Sequence, residues 1–198
     1  GITKSLAEDY TIDQSLRFND DDPDYLTWTP ASDGNRETWT FSCWIKRTSS
    51  FAAYQRIFGS QAQATHLYFN NGDLLFFDIG DSGSSSYTGR LKTTQVFRDP
   101  SAWYHLVAVV DTSSATTTLN GSSTDRMRLY VNGSQVTSFS STTVPAQDYE
   151  SCFNEGGEQH SIGYRTSTQG DAGIALDAYL AEVYFIDGQA LDADDFGE

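Results

Sequence analysis

Polar and apolar side chains alternate along several short stretches of this chain, which is the period of a half-buried strand. Residues 15–18 (Ser-Leu-Arg-Phe) and 25–28 (Tyr-Leu-Thr-Trp) show it on either side of an acidic turn at 19–24. In the next stretch Trp39, Phe41, Cys43 and Ile45 interleave with Thr40, Ser42, Trp44 and Lys46. Trp44 falls on the outer register, so it either packs under a second layer or stands exposed. Residues 66–70 and 73–78 flank Asn71-Gly72, and residues 127–131 and 134–139 flank Asn132-Gly133. Such pairs adopt positive φ readily and predict hairpins. Asp187-Gly188 closes a further stretch at 179–186. Residues 103–110 are apolar in both registers, which predicts a central strand covered on both faces.

Between these strands run polar connections at 48–55, 80–94, 111–125 and 142–160, rich in Ser, Thr, Gly or Asp. Loops beyond about 12 residues are uncommon in compact domains and are often functional. Residues 1–13 carry no period and read as an extended lead-in. Residues 14–198 read as one all-β domain, a two-sheet antiparallel sandwich of about a dozen strands.

Composition supports that class. Ser and Thr total 44 of the 198 residues, against 3 Lys and 7 Glu, a poor balance for helix surfaces and a good one for strands and turns. The formal charge of −15 argues against a nucleic-acid partner, because each phosphate contact needs a cation. It disfavours anionic membranes for the same reason. The longest nearly apolar run has 8 residues and contains His105, whereas a membrane helix needs about 20. No charged segment followed by an apolar run opens the sequence, so no signal peptide is expected. Cys43 lies in an apolar strand and reads as a core residue. Its pairing with Cys152 is left open by the sequence.

Taken in order, several phrases resemble a laminin-G-like, concanavalin A-like jelly roll. They are residues 15–18, Trp39 to Arg47, Trp103 to Val109, Arg128 to Gly133, Ile162-Gly163 and Tyr179 to Val183. Residues 41–47 and 181–191 further resemble modules in virion proteins of tailed phages, especially marine and cyanobacterial ones. That resemblance implies a tail-fibre, tail-spike or capsid-decoration module of a larger protein. It places the domain on the virion surface, assembled in the host cytoplasm, as a homo-oligomer for which a trimer is expected. Its implied partners are other virion proteins and a bacterial surface polysaccharide.

Catalytic signatures are sparse. Glycanases of this superfold need two close carboxylates, but no Glu-x-Asp-x-x-Glu run occurs and Glu155 and Glu158 sit in a Gly-rich stretch. Glu182, inside the last strand, reads as a structural carboxylate bonded to a neighbouring backbone or Tyr. No Gly-x-Ser-x-Gly elbow is present, and His66, His105 and His160 lack zinc spacing. No enzyme is expected. Calcium is the candidate ion, because it takes six to eight oxygens and Asp-rich turns supply them. Asp20, Asp21, Asp22 and Asp24 form one cluster, Asp78 and Asp81 a smaller one, and Asp111 begins a long loop. Relatives of the laminin-G-like kind hold calcium at the sandwich rim, and Asp20, Asp22, Asp24 and Asp111 are the metal candidates. For sugar stacking the candidates are Tyr54, Tyr87, Tyr149 and Tyr164, which lie in or beside the polar loops. Tyrosine gives recognition area at low entropy cost. Asn120 and Asn132 sit in sequons that are incidental to these readings. The expected function is therefore glycan binding without catalysis. A purely cementing virion protein is the alternative, and a glycan-degrading enzyme the remote one.

Overall fold

The computed structural model describes residues 12–22, 24–48, 54–61, 65–81, 86–115, 126–164 and 174–196. Most of the expected lead-in, the Asn120 sequon and parts of the polar connections lie outside the described residues. In chain order the strands are β1 (Leu16–Phe18), β2 (Leu26–Trp28), β3 (Thr38–Arg47), β4 (Gln55–Ser60), β5 (His66–Phe69), β6 (Leu74–Gly80) and β7 (Tyr87–Val96). They continue as β8 (Tyr104–Asp111), β9 (Met127–Val131), β10 (Ser134–Gln135), β11 (Phe139–Thr143), β12 (His160–Ile162) and β13 (Ala178–Asp187), followed by a 3-10 turn at Ala193–Phe196. They form a six-stranded sheet, β1-β13-β3-β8-β9-β10, and a seven-stranded sheet, β11-β7-β6-β5-β4-β12-β2. Every strand pair is antiparallel. The two sheets make a jelly-roll sandwich.

The alternation in β3 sends Trp39, Phe41, Cys43 and Ile45 into the core, where all four are fully buried. Across the sandwich they meet Phe58, Leu67, Phe69, Phe77 and Leu91. Phe58 stacks on both Phe41 and Phe153 with ring centres 4.2 Å apart. In β8 the two-sided apolar pattern is explained by two separate clusters. Leu106, Ala108 and Val110 join the main core, while Val107 and Val109 pack on the other side beneath Ala190, Ala193 and Phe196. The segment after Gly188 is held there by Thr40, whose hydroxyl donates to the Gln189 carbonyl and accepts from the Leu191 amide. Trp44 stacks under the same layer against His105, 5.0 Å between ring centres.

Two of the expected turns differ in detail. At Asn132-Gly133 both residues have positive φ, 49° and 73°, as a two-residue primed hairpin turn requires. At the β5–β6 turn the positive φ falls on Asp73 (61°), one position later than Gly72. Asn70 Oδ1 accepts from the Gly72 and Leu74 amides there, so a capping side chain sets the turn. Asp73 then points inward, accepting from Arg47 Nη1 at 3.0 Å and from Arg98 Nε at 2.7 Å. Arg47 is fully buried; it also donates to Gln55 Oε1 and the Phe97 carbonyl and covers the Phe69 ring at 4.3 Å.

The expected loop at 80–94 is corrected: from Tyr87 onward it is strand β7. Its polar letters hid an alternation in which Leu91 and Thr93 are buried while Arg90 and Lys92 face away from the core.

Candidate functional site

The outward residues of the seven-stranded sheet line up because directly opposed partners in an antiparallel pair share a face. One row runs Lys92–Phe76–Tyr68–Arg56, and the adjacent row runs Arg90–Asp78–His66–Gly59. The alternate row, Leu91–Phe77–Leu67–Phe58, belongs to the core. The two outer rows therefore gather four nitrogenous side chains, one carboxylate and two aromatic rings on one surface.

Their contacts are specific. Arg90 clasps Asp78 through Nε (2.7 Å) and Nη2 (2.5 Å), the fork geometry of a guanidinium on a carboxylate. Burial pushes the Asp78 carboxyl up from its ordinary range, with the Arg90 bonds acting in the opposite direction. Tyr68 donates its hydroxyl to Asp78 Oδ2 at 3.3 Å, and burial raises its phenol. Tyr68 stacks on Phe76 (4.9 Å) and meets His66 edge-on (5.8 Å). Arg56 lies over the Tyr68 ring. It also crosses Gly59, where an added Cβ would stand 3.0 Å from Arg56 Cδ, so the glycine leaves room for the arginine. Arg90 and Lys92 both lie over Phe76, at 5.1 and 5.2 Å.

The middle of this patch is buried and its rim reaches solvent. Two candidate tyrosines form that rim: Tyr54 is 47% exposed and Tyr87 is 41% exposed. Tyr54 sits 6.2 Å from Tyr68, and the Arg90 guanidinium lies 3.5 Å from the Tyr87 ring centre. The other two go elsewhere. Tyr149 is partly buried against the core and donates to Asp81 Oδ1 at 2.8 Å. Tyr164 stacks on Tyr25 at the β2 edge of the sheet, 5.2 Å between centres.

The aspartates expected to ligate a metal do not converge. Among the described residues no group of three or more His, Cys, Asp or Glu side chains is placed to hold an ion. Asp20, Asp22 and Asp24 stay in the connection between β1 and β2. Asp111 closes its own turn, accepting from Ser113 Oγ at 2.6 Å and Thr38 Oγ1 at 3.4 Å. Asp78 and Asp81 separate onto Arg90 and Tyr149.

The remaining reactive side chains have structural surroundings. His105 shares a hydrogen bond with Ser42 Oγ through Nε2. His160 is fully buried; its Nε2 accepts from the Asn154 amide and its Nδ1 donates to the Glu158 carbonyl. Burial lowers its pKa to about 4. Cys43 and Cys152 are both free and buried. Cys152 bonds to Thr65 and Ser60, and burial pushes its thiol up to about 11, which keeps it unreactive at neutral pH. Glu182 sits in a bulge of β13 with φ of 48° and accepts from the Tyr184 hydroxyl.

Beside that bulge, Leu16, Phe18, Leu26, Ile162, Leu180 and Val183 line an apolar groove of about 390 Å³ between the sheet edges. Leu16 and Leu26 are each about half exposed there. Among the described residues no helix is long and apolar enough to cross a membrane.

Residues 20–195 match the Laminin_G_3 family model, described as the Concanavalin A-like lectin/glucanases superfamily. No curated protein matches the chain. Among solved structures the chain is similar to the native heptameric SAP-like pentraxin from Limulus polyphemus, with a TM-score of 0.57 and 17% identity over 92% of this chain and 76% of that one. It is similar to domains LG4-5 of the mouse laminin alpha1 chain, with a TM-score of 0.57 and 16% identity over 95% of this chain and 46% of that one. A mutant NanB sialidase from Streptococcus pneumoniae matches with a TM-score of 0.57 and 13% identity, over 91% of this chain and 26% of the sialidase. At these identities the structural matches establish the fold alone. The family match spans nearly the whole chain, and the chain belongs to the Concanavalin A-like lectin/glucanases superfamily.

Proposed function

We propose that this domain is a carbohydrate-binding module whose binding surface is the outer face of the seven-stranded sheet. The observation that carries the reading is the aromatic and cationic patch. Tyr54 and Tyr87 present rings at its rim, backed by Tyr68, Phe76, Arg90 and Asp78. Rings exposed on one side suit the apolar faces of sugars, and fixed donors beside them suit hydroxyls. Membership of a lectin-containing superfamily supports the same reading. The module binds without hydrolysing: two-carboxylate glycoside cleavage needs a pair flanking the bond, and Asp78 is the single carboxylate in these two rows, engaged with Arg90.

In the same proposal the domain is a surface module of a tailed-phage virion, in a tail fibre, tail spike or capsid decoration, that contacts bacterial surface polysaccharide. This rests on the sequence resemblance of residues 41–47 and 181–191. A symmetric oligomer, with a trimer expected, would multiply weak contacts into avidity. A cementing role is the second reading, and the half-exposed Leu16 and Leu26 at the apolar groove favour it, since such surface suits a neighbouring subunit.

Binding of the purified protein to host cells and envelope polysaccharide tests the two readings, run with calcium and with a chelator. The glycan reading expects binding that Tyr87→Ala abolishes and Leu26→Ser spares. Binding only with calcium would bring the aspartate turns back as a site. No binding by the folded protein favours cement.

A further inference from the structure

We propose that the saccharide bound at this face is an acidic one, carrying carboxylate, sulfate or phosphate groups, with Lys92 and Arg90 as the residues that select it. This rests on the glycan-binding reading above and narrows its ligand.

The argument begins with charge distribution. The chain holds 27 acidic residues against 12 Lys and Arg, so a cation placed at random has a carboxylate nearby. Arg17, Arg36, Arg47 and Arg98 follow that expectation, each with an acidic partner. The described outward positions of the seven-stranded sheet differ in composition: Arg56, Arg90 and Lys92 share these two rows with one carboxylate, Asp78. These two rows thus carry more cations than carboxylates, on a chain whose formal charge is −15.

Lys92 is the clearest case. It forms no ion pair among the described residues, and its ammonium is steadied over the Phe76 ring at 5.2 Å. An aromatic platform positions a cation without neutralising it. Arg90 is held differently. Asp78 takes its Nε and Nη2, which fixes the guanidinium plane and leaves Nη1 outside that clasp. The same guanidinium lies against Tyr87, one of the exposed rings. A sugar stacked near Tyr87 thus places its substituents beside two cations, one orientated by a carboxylate and one by a ring.

Distance decides whether the overall charge of −15 defeats this. At physiological ionic strength charges beyond about 8 Å are largely screened, so a docked acid group senses Arg90 and Lys92 and not the distant loops. A neutral hydroxyl can accept a hydrogen bond from Lys92, whereas an acid group adds the attraction of opposite charges to that contact.

The test is binding of the folded protein to immobilised polygalacturonate, dextran sulfate, dextran and mannan. The expected result is binding to an acidic polymer about tenfold tighter than to either neutral one, the scale of one charged hydrogen bond. Lys92→Gln should weaken the acidic interaction about fivefold or more, with no change in melting temperature. Lys46→Gln removes the same charge elsewhere and should leave binding unchanged. Equal affinity for neutral polymers, or an acidic interaction indifferent to Lys92→Gln, overturns this proposal and leaves the glycan-binding reading standing. If no polymer of either kind binds, both fall together.

Discussion

The outer faces of the two sheets arise from the same alternation and meet opposite fates. On the six-stranded sheet the outward side chains include Val107 and Val109, and the chain's own segment at 190–196 covers them. On the seven-stranded sheet they are Arg56, His66, Tyr68, Phe76, Asp78, Arg90 and Lys92, rimmed by exposed Tyr54 and Tyr87. An apolar outer face must be sealed, because contiguous exposed apolar surface favours association. A face of charges and aromatic rings can satisfy itself through ion pairs and stacking, and it can meet water or a ligand at its rim. One outer face therefore acts as a second core, whereas the other is buried at its middle and reaches solvent at the rim that carries Tyr54 and Tyr87.

Charging the sealed face should have the largest effect. Val109→Asp would bury an unpaired carboxylate against Ala193 and Phe196, at a cost of about 4 kcal/mol, read from urea unfolding. The same variant, where it remains folded at low temperature, should keep its glycan affinity.

Acid should act next, through the layer between the faces. His160 is fully buried with its pKa lowered to about 4, against about 6.5 in the unfolded chain. Its folded pKa is the lower one, so the unfolded state binds the proton first. Stability is full above pH 6.5 and falls by up to about 1.4 kcal/mol per unit towards pH 4, about 3 kcal/mol in all. Unfolding free energies across that range check it, and a neutral His160→Gln protein should lose that share of the slope.

On the outer face of the seven-stranded sheet, Asp78→Ala deprives Arg90 of its clasp. Breaking a fully buried pair costs roughly 3–5 kcal/mol, and the partial exposure of Arg90 brings the expected loss nearer to about 2 kcal/mol. Denaturation measures that, and a parallel fall in glycan affinity would show that Asp78 positions Arg90 for the ligand. The smallest stability effect belongs to Tyr87→Ala. An exposed ring contributes less than about 1 kcal/mol to folding, so binding should drop while the melting temperature hardly moves. A large loss of stability there would assign Tyr87 to the architecture.

Asp73 and Asp78 show how much of this was legible. Both are acidic letters near a hairpin, and reading them in sequence suggests turn chemistry or calcium. In the folded chain Asp73 turns inward to Arg47 and Arg98, and Asp78 turns outward to Arg90 and Tyr68. Their partners lie between 10 and 26 residues away. The tyrosines divide in the same way: Tyr54 and Tyr87 reach the patch, whereas Tyr149 and Tyr164 are drawn to Asp81 and Tyr25. Arg56, Tyr68, Arg90 and Lys92 were missed as candidates: Arg90 and Lys92 lie in the stretch at 80–94 that reads as loop, and the pairing that aligns all four on one face joins separate strands.

By itself the sequence determined what is local. Period-2 alternation set which side chains of β3 enter the core, Asn132-Gly133 set a hairpin, and the two-sided apolar run set β8 at the centre of its sheet. These follow from the pleat and from φ preferences, which act within a few residues. Tertiary structure alone decided which strands became neighbours, since β12 fits between β2 and β4, its partners lying 100 or more residues away. It likewise decided which outer face was sealed and which cations met which rings. Those outcomes depend on pairing register between distant segments, and no local pattern encodes a register until the partner strand is in place.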